Sequence, residues 1–307
     1  MPAEAPAPHL SWNPVSDVSQ ILEYHFMVNA MLASGIVAVM AGLIGWMMVV
    51  RRQTFAGHTL AMMAFPGAAA AALLAVPAAW GYFAFCGGGA LAIGRFAHGE
   101  QRSWRQESAS IGAVQAAALA AGFLFVSLYG GVLGDLETLL FGSVLGISDR
   151  QVLVLALLAV VVIALLAGMA RPLLFSSVDP QVAGARGVPV GRIALAFLLL
   201  LGAAVAATSQ VTGPLLVFAL LVMPAATAQA ITPRPALSLA LTVLLALGVA
   251  WLGVGISYFS PYPASFFIAT VAFTIYVLVR VPAAMTGRRV RGPSGHAGEP
   301  APTGVIA

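Results

Sequence analysis

Residues 151–170 read QVLVLALLAVVVIALLAGMA, an uninterrupted apolar run held between Arg150 and Arg171. A helix needs about 20 apolar residues to cross the hydrocarbon core of a bilayer, so this stretch reads as a membrane span. The pattern repeats on both sides of it. Apolar runs between polar breaks fall at 26–50, 55–75, 76–94, 110–130, 151–170, 191–209, 213–231, 236–257 and 263–281. They predict an all-α, polytopic transmembrane helical bundle of about nine spans, within a range of eight to ten, with Pro77 turning the second run into the third.

Composition agrees. Of 307 residues 61% are hydrophobic and only 8% charged, whereas soluble domains carry about a quarter charged residues. The formal charge of +4 comes from arginines that punctuate apolar runs, so no basic face exists for a nucleic acid. The single cysteine, Cys86, excludes an intramolecular disulfide and a cysteine metal cluster within one chain. No lysine is present, which removes the Walker A loop and with it ATP hydrolysis by that route: the chain is not expected to be an enzyme.

Three regions follow. Residues 1–22 are Pro-rich and polar, lack a positive start ahead of an apolar core, and are expected to be an extracytoplasmic segment rather than a cleaved signal. Residues 23–281 form the transmembrane domain. Residues 282–307, rich in Gly, Pro and Arg, read as a disordered cytoplasmic tail. Within the domain, Val132 to Arg150 mixes Asp135, Glu137 and Asp149 with apolar residues. It is too charged to span and too apolar for an open loop, and it reads as a re-entrant or interfacial helical segment.

Orientation comes from the arginines. With Arg51 and Arg52 cytoplasmic, alternation places Arg95, Arg102, Arg105, Arg171, Arg186, Arg192, Arg234, Arg280, Arg288, Arg289 and Arg291 on the same side, which leaves Arg150 as the one outside of 14. The N-terminus is then outside and the C-terminus inside. Small-residue pairs such as Gly67/Ala71, Gly130/Gly134 and Gly142/Gly146 suit close helix contacts but locate no single interface. Pro66, Pro214 and Pro224 mark kinks or breaks where a path can open.

Ionisable groups inside a membrane are costly, and few occur here. His58 opens the second run with Met62 on the same helix face one turn later, so imidazole and thioether can reach one cation. Ordinary interfacial packing is the plainer alternative. Glu23 and His25 stand at the outer mouth of the first span, as an ion-receiving site or as an interfacial anchor. Asp135 and Glu137 point about 200° apart on a helix and would not share an ion; they suit a solvated edge. In Ser176 to Val190, Asp179 with Pro180 makes a helix start and Gly187 a stop, which predicts a short cytoplasmic helix or an ordinary loop.

Gly45 to Gly67, GWMMVVRRQTFAGHTLAMMAFPG, resembles the first signature of the permease subunits of zinc and manganese ABC importers. Asp135 to Val152 is similar to that family's Leu-Phe-Gly segment, and Asp179 to Val190 to its coupling helix. Gly213 to Ala228, GPLLVFALLVMPAATA, follows its Gly-x-Leu-Leu-Val…Pro-Ala-Ala-Thr-Ala pattern, and Ser257 to Ile268 its Ser-Tyr…Pro-Ser-Gly stretch, with Ser265 where Gly is usual. The matches run in order from about residue 40 to 281.

The resemblance implies a permease that works with a second copy of itself, a dimer of cytoplasmic ATP-binding subunits and an extracytoplasmic metal-binding protein. The coupling helix would use Asp179, Pro180, Ala183 and Gly187. No cofactor is expected in this chain; the cargo is zinc or manganese, and ATP is bound by the partner subunit. One departure stands out: His58 occupies the place of the family's Asp, and Met62 that of its His. Losing a carboxylate and gaining a thioether favours Zn²⁺ over the harder Mn²⁺. The alternatives are copper, or a permease for a chelate such as a siderophore or cobalamin. A secondary transporter is disfavoured because the spans lack a buried acid for proton coupling.

Overall fold

The structure, a computed structural model, describes residues 14–97, 104–129 and 146–285. Among these residues all regular structure is helical: α1 (Pro14–Glu23), α2 (His25–Val50), α3 (Thr54–Leu73), α4 (Ala78–Ala97), α5 (Trp104–Tyr129), α6 (Asp149–Val178), α7 (Pro180–Ala185), α8 (Val190–Thr212), α9 (Pro214–Ile231), α10 (Pro235–Tyr258) and α11 (Ala264–Met285). Seven helices, namely α2, α3, α5, α6, α8, α10 and α11, contain stretches long and apolar enough to cross a membrane, and α9 carries a shorter apolar run at Leu216–Ile231.

Two helices sit at the centre. α2 packs on α6, α8, α9 and α10, and α3 packs on α4, α5, α8 and α9. Small residues set the spacing, because lipid gives apolar side chains no reason to leave it and only close backbone approach gains dispersion. A Cβ on Gly81 of α4 would run into the backbone of Gly67 on α3, and one on Gly45 of α2 into the Leu221 carbonyl of α9. Gly67 and Ala71, expected as a small-residue pair, both lie against Gly81 of α4.

Polar contacts sort the helix ends into two groups. At one end Arg51, after α2, donates from Nη1 to the Leu173 carbonyl and to the hydroxyls of Ser176 and Ser177 on α6 at 3.2–3.3 Å, and its guanidinium lies 5.4 Å from the Phe197 ring of α8. Burial pulls the pKa of Arg51 below the ordinary arginine value, yet a guanidinium stays charged. At the same end Trp46 Nε1 donates to Ser238 Oγ of α10 at 3.1 Å, and Gln229 of α9 to the Trp46 carbonyl at 3.4 Å. At the other end the start of α2 meets the start of α6 and the end of α10. The contacts therefore gather Arg51, Arg171, Arg192 and Arg234 at one end of the bundle, with Arg150 at the other.

Two sequence expectations change, and one gains detail: residues 14–22 of the polar N-terminal segment form, with Glu23, the helix α1, which buries Ile21. Asp149 and Arg150, assigned to a re-entrant segment, are the first turn of α6: Ser148 accepts from the Gln151 backbone and the Gln151 side chain accepts from the Ser148 backbone, a capping box. The remainder of that segment, including Asp135, Glu137 and Gly142, lies outside the described residues, as do residues 286–307 of the tail. Pro214 kinks nothing; it is the first residue of α9, after Gly213 at φ +74°, where a lost N–H is harmless. Pro66 and Pro224 lie within α3 and α9, and α6 continues through Arg171 and Pro172 to Val178.

Candidate functional site

Four consecutive residues of α3 face four neighbouring helices, as a turn of about 100° per residue requires. At Gly57 a Cβ would overlap the Met48 sulfur of α2. The His58 imidazole meets the Phe218 ring of α9 at 4.8 Å between centroids and 72° between planes. Thr59, fully buried, donates to Gln115 Oε1 of α5 at 3.0 Å. The Leu60 carbonyl accepts from the Cys86 thiol of α4 at 3.5 Å. α3 is thus held on three sides by packing and hydrogen bonds, and His58 occupies the side that faces α9.

His58 Nδ1 is buried and has no hydrogen-bond partner. Buried polar atoms without partners are rare, since each forfeits its hydration. Met62, one turn further along α3, is half-buried. The two residues therefore offer an unengaged ring nitrogen and a thioether within one turn of a rigid helix, chemistry suited to a borderline or soft cation. Among the described residues no three His, Cys, Asp or Glu side chains come together to form a metal cage. Two donors per chain would hold a passing ion weakly enough to release it.

The other sequence candidates fall into two places. His25 donates from Nε2 to Asp149 Oδ1 at 2.8 Å, and Asn29, one turn along α2, donates to the same oxygen at 2.6 Å and to the Ile147 carbonyl at 3.3 Å. His25 is thus paired across to α6 and is not brought to His58; Glu23 is exposed at the end of α1. In the sequence Asp149 stands out only as an acid of the interfacial segment, and Asn29 not at all, although Asn29 is one turn from His25 in an otherwise apolar run. At the opposite end Asp179 Oδ1 accepts from the Gln181 and Val182 backbones at 3.0 and 2.9 Å and caps α7, Pro180 starts it, Ala183 is fully buried, and Gly187 follows at φ +82°. Phe218 was also missed, and only its position in the GPLLVFALLVMPAATA stretch could have drawn attention to it.

Residues 23–282 match the profile of the ABC 3 transport family. The chain belongs to that family. It is the membrane permease subunit of a metal ABC importer and a multi-pass protein of the bacterial inner membrane, with ATP hydrolysis in a separate subunit. It is 31% identical over 268 residues to the uncharacterized membrane protein slr2045 of Synechocystis sp., covering 85% of this chain and 93% of that one. It is 30% identical over 259 residues to the manganese transport system membrane protein MntC of Halalkalibacterium halodurans, covering 84% and 88%. The chelated iron transport system membrane protein YfeC of Yersinia pestis is 31% identical over 215 residues, covering 70% and 72%. The fold is similar to the solved structure of PsaBC from Streptococcus pneumoniae in complex with Fab, at a TM-score of 0.75 and 23% identity, covering 86% and 94%.

Proposed function

We propose that this permease carries a divalent first-row transition metal inward along a path lined by His58 and Met62. The observation that supports it is the buried, unpartnered Nδ1 of His58 on the α9-facing side of α3. The ion is the transporter's cargo, held in passing by this pair and by water or the same pair of a second copy. Imidazole and thioether donors favour Zn²⁺ over Mn²⁺. Manganese and iron figure in the names of the relatives, so the preference for zinc rests on donor chemistry alone. The bundle crosses the membrane nine times with the N-terminus outside; the arginine-bearing end faces the cytoplasm. There α7, with Asp179, Pro180, Ala183 and Gly187, docks on a dimer of ATP-binding subunits. An extracytoplasmic binding protein delivers the ion on the side of Glu23 and His25.

The test is uptake by the complex reconstituted with its ATP-binding subunit. His58→Ala and Met62→Ala should each abolish metal uptake while leaving assembly intact; full uptake by both would remove them from the path. A second reading, a metal chelate as cargo, is favoured by the name of the YfeC relative. It predicts that neither substitution affects transport of the chelate.

A further inference from the structure

A groove of about 510 Å³ opens on the outer surface of the bundle between α6 and α10, with α2 as its floor. Its walls are almost wholly apolar: Trp46 and Met47 of α2, Leu166 and Ala170 of α6, Pro235 and Leu239 of α10. The one polar atom these side chains carry, Trp46 Nε1, is occupied by Ser238 Oγ. Along α6 the lining runs from Ile163 to Leu174, a rise of about 16 Å and so close to half of a hydrocarbon core of about 30 Å. The groove has the length of one membrane leaflet.

Two exposed arginines adjoin the lining in sequence, towards the arginine-bearing end of the bundle. Arg171 follows the lining residue Ala170, and Arg234 precedes the lining residue Pro235. Neither side chain donates to an acceptor or pairs with an acid among the described residues. Asp179, at the same end, is engaged in capping α7. We propose that the groove binds an anionic phospholipid of the cytoplasmic leaflet, one acyl chain lying along α6 and the headgroup phosphate between Arg171 and Arg234. Basic pockets between spans on the cytoplasmic side are suited to such headgroups, and bidentate guanidinium contacts suit phosphate.

The test is native mass spectrometry of the detergent-purified permease with its ATP-binding subunit, given equal amounts of dioleoyl phosphatidylglycerol and dioleoyl phosphatidylcholine. Two arginines correspond to about a 30-fold preference for the anionic lipid. Arg171→Gln with Arg234→Gln should reduce the preference to near unity. Ala167→Trp, which fills the groove from an exposed position, should lower retention of both lipids. Equal retention of the two lipids by the unsubstituted complex overturns the proposal and requires no variant to fold. So does an efficient disulfide between two copies of an Ala167→Cys variant in native membranes, which would make this face a contact between permeases.

Discussion

The imidazole of His58 lies T-shaped to the ring of Phe218, joining α3 to α9 at 4.8 Å. An aromatic pair of this kind contributes about 1 kcal/mol beyond its buried area. Phe218→Leu keeps the apolar bulk and removes the ring pair. It should cost about 1 kcal/mol of stability and raise the KM for metal uptake through a less fixed imidazole, with assembly unchanged. Initial uptake rates over a range of metal concentrations measure this; an unaltered KM would show that Phe218 does not orient His58.

At the arginine-bearing end, Arg51 reaches Leu173, Ser176 and Ser177 of α6, directly ahead of α7. Arg51→Met retains much of the packing on Phe197 and removes the charged hydrogen bonds, each of which contributes about 1.5–3 kcal/mol. Thermal unfolding of the purified complex should shift down by several degrees. Arg51→Lys should recover only part of the loss, since an ammonium lacks the planar fork.

Asp179 caps a helix of six residues with two backbone N–H groups on one oxygen. Asp179→Ala should destabilise that turn by about 1 kcal/mol, and Asp179→Asn or Asp179→Ser by much less. If α7 transmits force to the ATP-binding subunit, ATPase activity of the complex falls in the Ala variant and persists in the other two. Equal activity in all three would remove α7 from the coupling.

The contact of Gly81 with the backbone of Gly67 leaves no room for a methyl group, whereas a Cβ on Gly88 meets nothing within 4 Å. Gly81→Ala must push α4 from α3 and should cost about 2 kcal/mol or more, in the range of an overpacked core. Gly88→Ala should be neutral or slightly stabilising. Melting temperatures of the two variants decide between close backbone approach and general helix flexibility.

Much of this architecture is legible in the chain. A run such as 151–170 between two arginines has one reading in a chain this apolar, and helices occur at every predicted run because backbone groups in lipid must be satisfied within the segment. Helix ends were harder to place. The Ser148–Gln151 capping box was present as a short pattern, but the acids upstream of it suggested an interfacial segment instead. The site divides in the same way. His58 and Met62 share a face by spacing alone, and Asp179, Pro180 and Gly187 carry turn chemistry that acts locally. Phe218 and Asp149 could not be found in this way. Each meets its partner across more than a hundred residues of chain, and the unpartnered state of His58 Nδ1 depends on what α9 places beside it.

The central claim is that the His58–Met62 pair selects the ion. The most direct measurement is the ratio of Zn²⁺ to Mn²⁺ uptake by the reconstituted complex, before and after His58→Asp with Met62→His, which restores a carboxylate and an imidazole at these positions. A carboxylate suits the harder ion, so the ratio should fall about tenfold or more, with total uptake retained. An unchanged ratio with full uptake would contradict the account and place ion selection elsewhere in the permease.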